Sequence, residues 1–137
     1  MISRTVTAVL DAPEVDVFAY LSRVGNLPEW ATEFARELKY EDGMAKVVNG
    51  LGEFYVRIDA DPETGVIDMY AGQSEEELAL FPTRVVALGD SKTAYSFTMF
   101  KAPGTLDELF ESQYESLLRE FDNIRARFAA ERPNCTR

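Results

Sequence analysis

Residues Pro103 to Phe128 read PGTLDELFESQYESLLREFDNIRARF, and this stretch decides the fold. Pro103-Gly104 breaks the pattern that precedes it, and Thr105 with Glu108 three residues later has the form of a capping box. Leu106, Phe110, Gln113, Leu117, Phe121, Ile124 and Phe128 then recur at spacings of four, three, four, four, three and four. That spacing is one face of a helix of about six turns. Glu111, Glu115, Arg119, Asp122 and Arg125 fall largely away from the stripe. A helix so long and so one-sided needs a broad apolar surface to cover.

The preceding seventy residues supply that surface. Phe54, Val56, Ile58 and Ala60 alternate with Glu53, Tyr55, Arg57 and Asp59, the period of a half-buried strand. Phe34, Leu38 and Tyr40 share a face upstream, and Asp42-Gly43 is a strong two-residue hairpin turn. Asn49-Gly50 marks a second turn after a strand at 44–48, and Asp61 to Gly65 forms a loop before a strand at 66–71. Pro82 argues against one uninterrupted central strand over 78–88, so a strand is placed at 83–88. Gly89 to Lys92 turns the chain into a last strand at 93–101.

At the other end, residues 2–10 alternate, with Ile2, Val6, Ala8 and Leu10 on one face and Ser3, Thr5 and Thr7 on the other. Asp11 suits an N-cap and Pro13 a first helical turn. Val17, Phe18 and Leu21 make the apolar side of a short helix that Gly25-Asn26 ends. Asn26 to Trp30 forms a corner and a second helical turn, with Trp30 as an anchor for the chain rather than a lid on a pocket.

Composition sets the outer bounds. The 137 residues suit one domain, placed at 1–130 with a polar tail at 131–137. At 46% hydrophobic residues, the core needs no metal or disulfide to hold it. The net charge of −10 argues against a nucleic-acid backbone or an anionic membrane as partner. With no His, neither a His-based nucleophilic triad nor a His-ligated metal site can form. The one Cys, Cys135, excludes an internal disulfide. No metal site and no cofactor are expected. The N-terminus lacks a signal-peptide pattern and no apolar run approaches a membrane span, so a soluble cytoplasmic monomer or homodimer is expected.

The expected fold is α+β: a strongly bent antiparallel sheet of about seven strands, two short helices after the first strand, and a long C-terminal helix over the concave face. This order resembles the helix-grip fold of the START-like (SRPBCC) superfamily, which includes birch-pollen-allergen-like proteins and the polyketide cyclase/dehydrase group. The resemblance is carried by Asp11-Ala12-Pro13-Glu14, the helix Val17-Phe18-Ala19-Tyr20-Leu21, the corner Asn26-Leu27-Pro28-Glu29-Trp30, and the helix Phe110, Leu117, Phe121 after Pro103-Gly104. It covers essentially the whole chain. It implies a cavity between sheet and helix that holds apolar or amphipathic small molecules, without assigning an activity.

The candidate ligand-binding residues follow from these faces. Phe54, Val56 and Ile58 are placed on the concave face with Tyr95, Phe97 and Met99, opposite Phe110, Gln113, Tyr114 and Leu117. Gln113 is the polar member of the helix stripe, and a buried amide there meets either a ligand or internal partners. Arg36 shares a strand face with apolar residues and Arg84 interrupts one, so either offers a cation to a ligand carboxylate or phosphate, or else reaches water or a neighbouring Glu or Asp. For acid–base chemistry, Tyr40, Tyr70, Tyr95 and Glu37 are the groups to inspect.

Three functions are compatible with this reading. The first is binding of a small hydrophobic or aromatic molecule between sheet and helix. The second is a polyketide cyclase or dehydratase activity in the same cavity. The third is an interaction module without a ligand.

Overall fold

Alternation of apolar and polar residues builds a seven-stranded antiparallel sheet in a computed structural model that describes residues 2–129. β1 (Ser3–Leu10) opens the chain, followed by α1 (Glu14–Leu21), a 3₁₀ turn (Val24–Asn26) and α2 (Leu27–Trp30). Six strands succeed them: β2 (Glu37–Glu41), β3 (Met44–Asn49), β4 (Gly52–Asp61), β5 (Val66–Gly72), β6 (Ala79–Ala87) and β7 (Thr93–Phe100). α3 (Asp107–Arg127) closes the order. The sheet runs β1-β7-β6-β5-β4-β3-β2, so each strand after α2 pairs with its successor and β1 returns to the edge of β7. The polar tail 131–137 and Cys135 lie outside the described residues.

Directly paired residues of an antiparallel sheet point to the same side, so the register names each face. Leu38, Val47 and Phe54 form one inward row, and Ala45, Val56 and Ala71 another. Ile58, Met69 and Phe81 follow, then Ile67, Thr83, Phe97 and Val6, then Val85, Tyr95 and Ala8. The opposite face carries Lys39, Lys46, Tyr55, Arg57, Asp68 and Tyr70. There Lys46 lies over the Tyr55 ring and Arg57 over the Tyr70 ring, at 4.5 and 4.3 Å.

The turns are where the residues demand them. Asp42 and Gly43 both take positive φ, 52° and 77°, the pair of values a two-residue hairpin with the right twist requires. The next hairpin closes one residue later than the sequence suggests. Asn49 pairs with Gly52, and its side chain accepts the Leu51 N–H while donating to the Phe34 carbonyl.

Four local expectations are corrected. Pro82 does not interrupt the sheet: β6 runs unbroken from Ala79 to Ala87. Val85 donates its N–H to Gly65 on the β5 side, so even-numbered residues of β6 direct theirs toward β7. The registered β6–β7 pairing ends at Thr83–Phe97, next to Pro82, which can offer no N–H to β7. Asp11 is not the cap of α1; Pro13 occupies that position and Asp11 instead pairs with Lys92. Thr105 does not cap α3, whose N-cap is Leu106 without a side-chain bond. Acidic Asp107 and Glu108 in the first turn serve its positive end instead, with Lys101 paired to Asp107. Residues 31–36 form a turn rather than a strand, and Tyr40 on the edge strand is 63% exposed.

The core lies between the inward face, α1, α2 and the C-terminal half of α3. Val17, Leu21, Leu27, Trp30, Ile67, Val85, Tyr95, Phe121 and Ile124 are all buried in it. α1 packs on β6, while α3 packs on β1 and α2.

Candidate functional site: an aromatic trough beside the C-terminal helix

The inward face is covered unevenly. Toward α1 and α2 its side chains are fully buried. Toward the N-terminal half of α3 a run of large apolar side chains is only half-buried: Phe34, Leu38, Phe54, Ile58, Phe81 and Phe97, with Tyr114 on the helix. Their rings pair along the floor, Phe34 with Phe54 at 6.5 Å between centroids and Phe81 with Phe97 at 6.0 Å. Phe97 meets Phe121 edge-on at 6.4 Å, and Phe121 stacks on Tyr95 at 5.6 Å. The result is a row of half-buried rings packed against the core, called here the aromatic trough, while the surface depressions lie elsewhere, by Lys101 to Gly104 and on the outer face by Arg84.

The same flank of α3 shows why the trough is covered at one end only. Gln113 and Glu120 are seven residues apart, close to two helical turns, and so lie on one side of the helix. At Glu120 the turn of residues 31–36 covers that side; at Gln113 nothing does, and the amide is exposed. The apolar stripe therefore has a different polar member from the one its spacing suggests. Glu120 is 5% exposed, and its Oε2 accepts the N–H groups of Glu33 and Phe34 at 3.0 and 2.9 Å. Burial pushes its carboxyl up to about 7, against the opposing pull of those two N–H donors. Glu33 is held in turn by a two-pronged ion pair with Arg119 and by Ser116, and the Arg119 bond draws its carboxyl down. Asn123 donates to the Trp30 carbonyl and to Thr32.

The expected site residues divide accordingly. Val56, Tyr95, Met99, Phe110 and Leu117 are buried on the inward face or the facing helix, and Phe54, Ile58, Phe97 and Tyr114 are half-buried beside them. Three do not reach the interior. Gln113 faces solvent. Arg84 is exposed on the outer face, where it borders a shallow depression of about 240 Å³ with Val66, Asp68, Pro82, Ser96 and Thr98. Arg36 is exposed too, its guanidinium lying against Gly50 in the β3–β4 turn. Strand alternation explains Arg84, since its neighbours Thr83 and Val85 take the inward positions. Arg36 stands in the turn before β2, where alternation does not apply. Of the groups considered for acid–base chemistry, Tyr70 and Glu37 belong to the outer face and Tyr40 to the exposed edge. Tyr95 alone is inside.

Two inward features stand out, the first a residue that went unread in the sequence and the second one that was named there. Arg4 is the one charged residue on the inward register of all seven strands, and its head is paired with Glu111 at 2.8 Å and lies 5.2 Å from the Tyr114 ring centre. Its place between Ile2 and Val6 on the alternating face of β1 was the available signal. The second is the Tyr95 hydroxyl. It is fully buried beside the Thr83 hydroxyl, and burial raises its pKa far above the ordinary phenol value, against the pull of Thr83. The neighbouring Thr83 hydroxyl donates to the Ile67 carbonyl at 2.6 Å. Among the described residues no cluster of acidic or sulfur ligands suits a metal ion, and no helix is long and apolar enough to cross a membrane.

No family model and no curated protein matches the sequence. Solved structures do match its fold. An uncharacterised protein from Bacillus thuringiensis superposes with a TM-score of 0.73 over 94% of this chain and 100% of its own, at 12% identity. A START superfamily protein from Mycobacterium smegmatis gives 0.63 over 92% and 96%, at 16% identity. The Zhui aromatase/cyclase from Streptomyces sp. R1128 gives 0.63 over 91% and 90%, at 20% identity. Each superposition spans nearly the full length of both chains, and the chain accordingly has the START-like helix-grip fold.

Proposed function

We propose that the chain binds a hydrophobic or aromatic small molecule in the trough between β4–β7 and the N-terminal half of α3. One observation carries this reading: five aromatic rings, Phe34, Phe54, Phe81, Phe97 and Tyr114, converge on one face and stay half-exposed together. Scattered exposed apolar residues are ordinary, whereas a concave group of rings is the usual lining of a small-molecule site. Likeness in fold to a START superfamily protein and to an aromatase/cyclase supports the same reading. The binding unit is read as a monomer or a homodimer.

A cyclase or dehydratase in the same trough would need an acid and a base with pKa values pushed apart. The three buried groups with large shifts, Tyr20, Tyr95 and Glu120, are all pushed up, and Glu120 is committed to the turn at 31–36. Binding without turnover is therefore favoured. Native mass spectrometry of the purified protein tests it. A reproducible extra mass released on denaturation is the expected result. No extra mass, followed by no uptake of naphthalene-sized compounds, would overturn it.

A further inference from the structure

We propose that Arg4 is the acid anchor of the trough, so that the ligand is an aromatic carboxylate whose carboxyl group takes the Arg4 guanidinium from Glu111. This inference rests on the trough being a binding site and adds the charge of what it binds.

Position comes first. Arg4 pairs with Met99 across β1 and β7, and Met99 stands two residues from Phe97 on the same face of β7. The guanidinium carbon of Arg4 lies 5.2 Å from the centre of the Tyr114 ring, one of the rings of the trough. Arg4 therefore stands at the β1 flank of the ring row, against a lining residue. Arg36 and Arg84, the cations expected to meet a ligand acid, are both exposed outside the trough, and Arg4 holds the place that neither takes.

The state of the guanidinium comes second. Its Nη2 donates to Glu111 Oε2 at 2.8 Å, and among the described residues that is its single hydrogen bond. Arginine offers five donors in a planar fork, and a carboxylate meets that fork best with two parallel bonds. Glu111 takes one. The side chains of Arg4 and Glu111 are 43% and 47% exposed, so the fork is open to solvent and the ion pair is a weak one. Exchanging one carboxylate for another there costs little, because Glu111 returns to water and no charge is left buried. The Tyr114 ring keeps its own attraction for the guanidinium through the exchange.

Charge narrows the choice of anchor. Lys101, just past β7, is engaged by Asp107, one helical turn before Glu111 on α3, and an ammonium offers no planar fork. The net charge of −10 repels anions at a distance, so an acid is held only where a specific cation meets it. Arg4 is that cation beside the rings.

The test titrates the whole protein with 2-naphthoate and with 2-acetylnaphthalene at neutral pH and low salt. The two share a ring and nearly a shape, and differ in the charge of the substituent. Wild type should bind the acid about tenfold more tightly, the order of one charge-assisted hydrogen bond. Arg4→Met should remove that preference while holding the ketone as wild type does. Glu111→Gln should raise affinity for the acid by about threefold, since the competing carboxylate is gone, and leave the ketone unchanged. Three results would each overturn the proposal while ketone binding upholds the trough: no preference of wild type for the acid, a preference that survives Arg4→Met, or acid affinity that does not rise in Glu111→Gln. The Glu111→Gln comparison decides the matter should Arg4→Met fold poorly. Failure of wild type to bind either compound would instead remove the trough as a site, and this proposal with it.

Discussion

Glu120 accepts the backbone N–H of Phe34 at 2.9 Å, joining α3 to the turn that carries the outermost ring of the trough. The same oxygen takes the N–H of Glu33, so one buried carboxyl holds two consecutive peptide groups. Its pKa, raised by burial to about 7, has a definite consequence for stability. A carboxyl raised above its ordinary value contributes fully while it is neutral, below pH ~4.5, and that contribution fades as pH rises through about 7. Stability should fall between pH 5 and 8 by on the order of 3 kcal/mol from this group. Glu120→Gln keeps an acceptor for both N–H groups and removes the titration. Denaturant unfolding across that range should show a flat profile for the variant and a declining one for wild type. Glu33, whose pKa is lowered, acts in the opposite sense and only as pH falls below the ordinary carboxylate range, outside this window.

Phe121 and Phe97 touch each other but sit in different halves of the interior. Phe121 is fully buried among α3, β7 and the core, so Phe121→Ala should cost ~3–5 kcal/mol in chemical denaturation. Phe97 is half-exposed, so Phe97→Ala should cost less than Phe121→Ala while weakening uptake of 2-acetylnaphthalene. Equal losses of stability at the two positions would contradict the division into buried core and half-buried trough.

Gly65 stands at φ +79°, and a Cβ there would lie 2.3 Å from the Val85 carbonyl oxygen. Its own carbonyl accepts from Val85, so the β5–β6 contact cannot move apart freely. Gly65→Ala combines backbone strain with a clash and should lower stability by ~2 kcal/mol or more. Gly43, also at positive φ but with open space around it, should tolerate Ala better. Thermal melts of the two variants make the comparison.

Pro82→Ala should change stability by less than ~1 kcal/mol, through the freedom it restores to the unfolded chain. The N–H it would supply faces β7 opposite Thr98, one residue past the registered pair Thr83–Phe97. A larger loss in urea unfolding would show that the ring itself is held by packing on the outer face.

The chain's alternation over 53–60 and the recurring apolar residues of 110–128 determined by themselves that a sheet face and a helix stripe must meet, since each buries its apolar side only against the other. The same local rules placed Asp42-Gly43 in a hairpin and put Val56, Tyr95, Met99, Phe110 and Leu117 inside. What the tertiary structure alone decided is where that cover stops. Gln113 and Glu120 occupy equivalent positions on one helix flank, yet one is in water and the other is buried, because the turn of residues 31–36 reaches only the second. Arg84 and Arg36 were drawn outward by strand parity and by a turn, respectively. Periodicity is a property of neighbours along the chain. Coverage and hydrogen-bond satisfaction depend on groups far apart in the chain, 93 residues in the case of Asn123 and Trp30, and only folding brings those together.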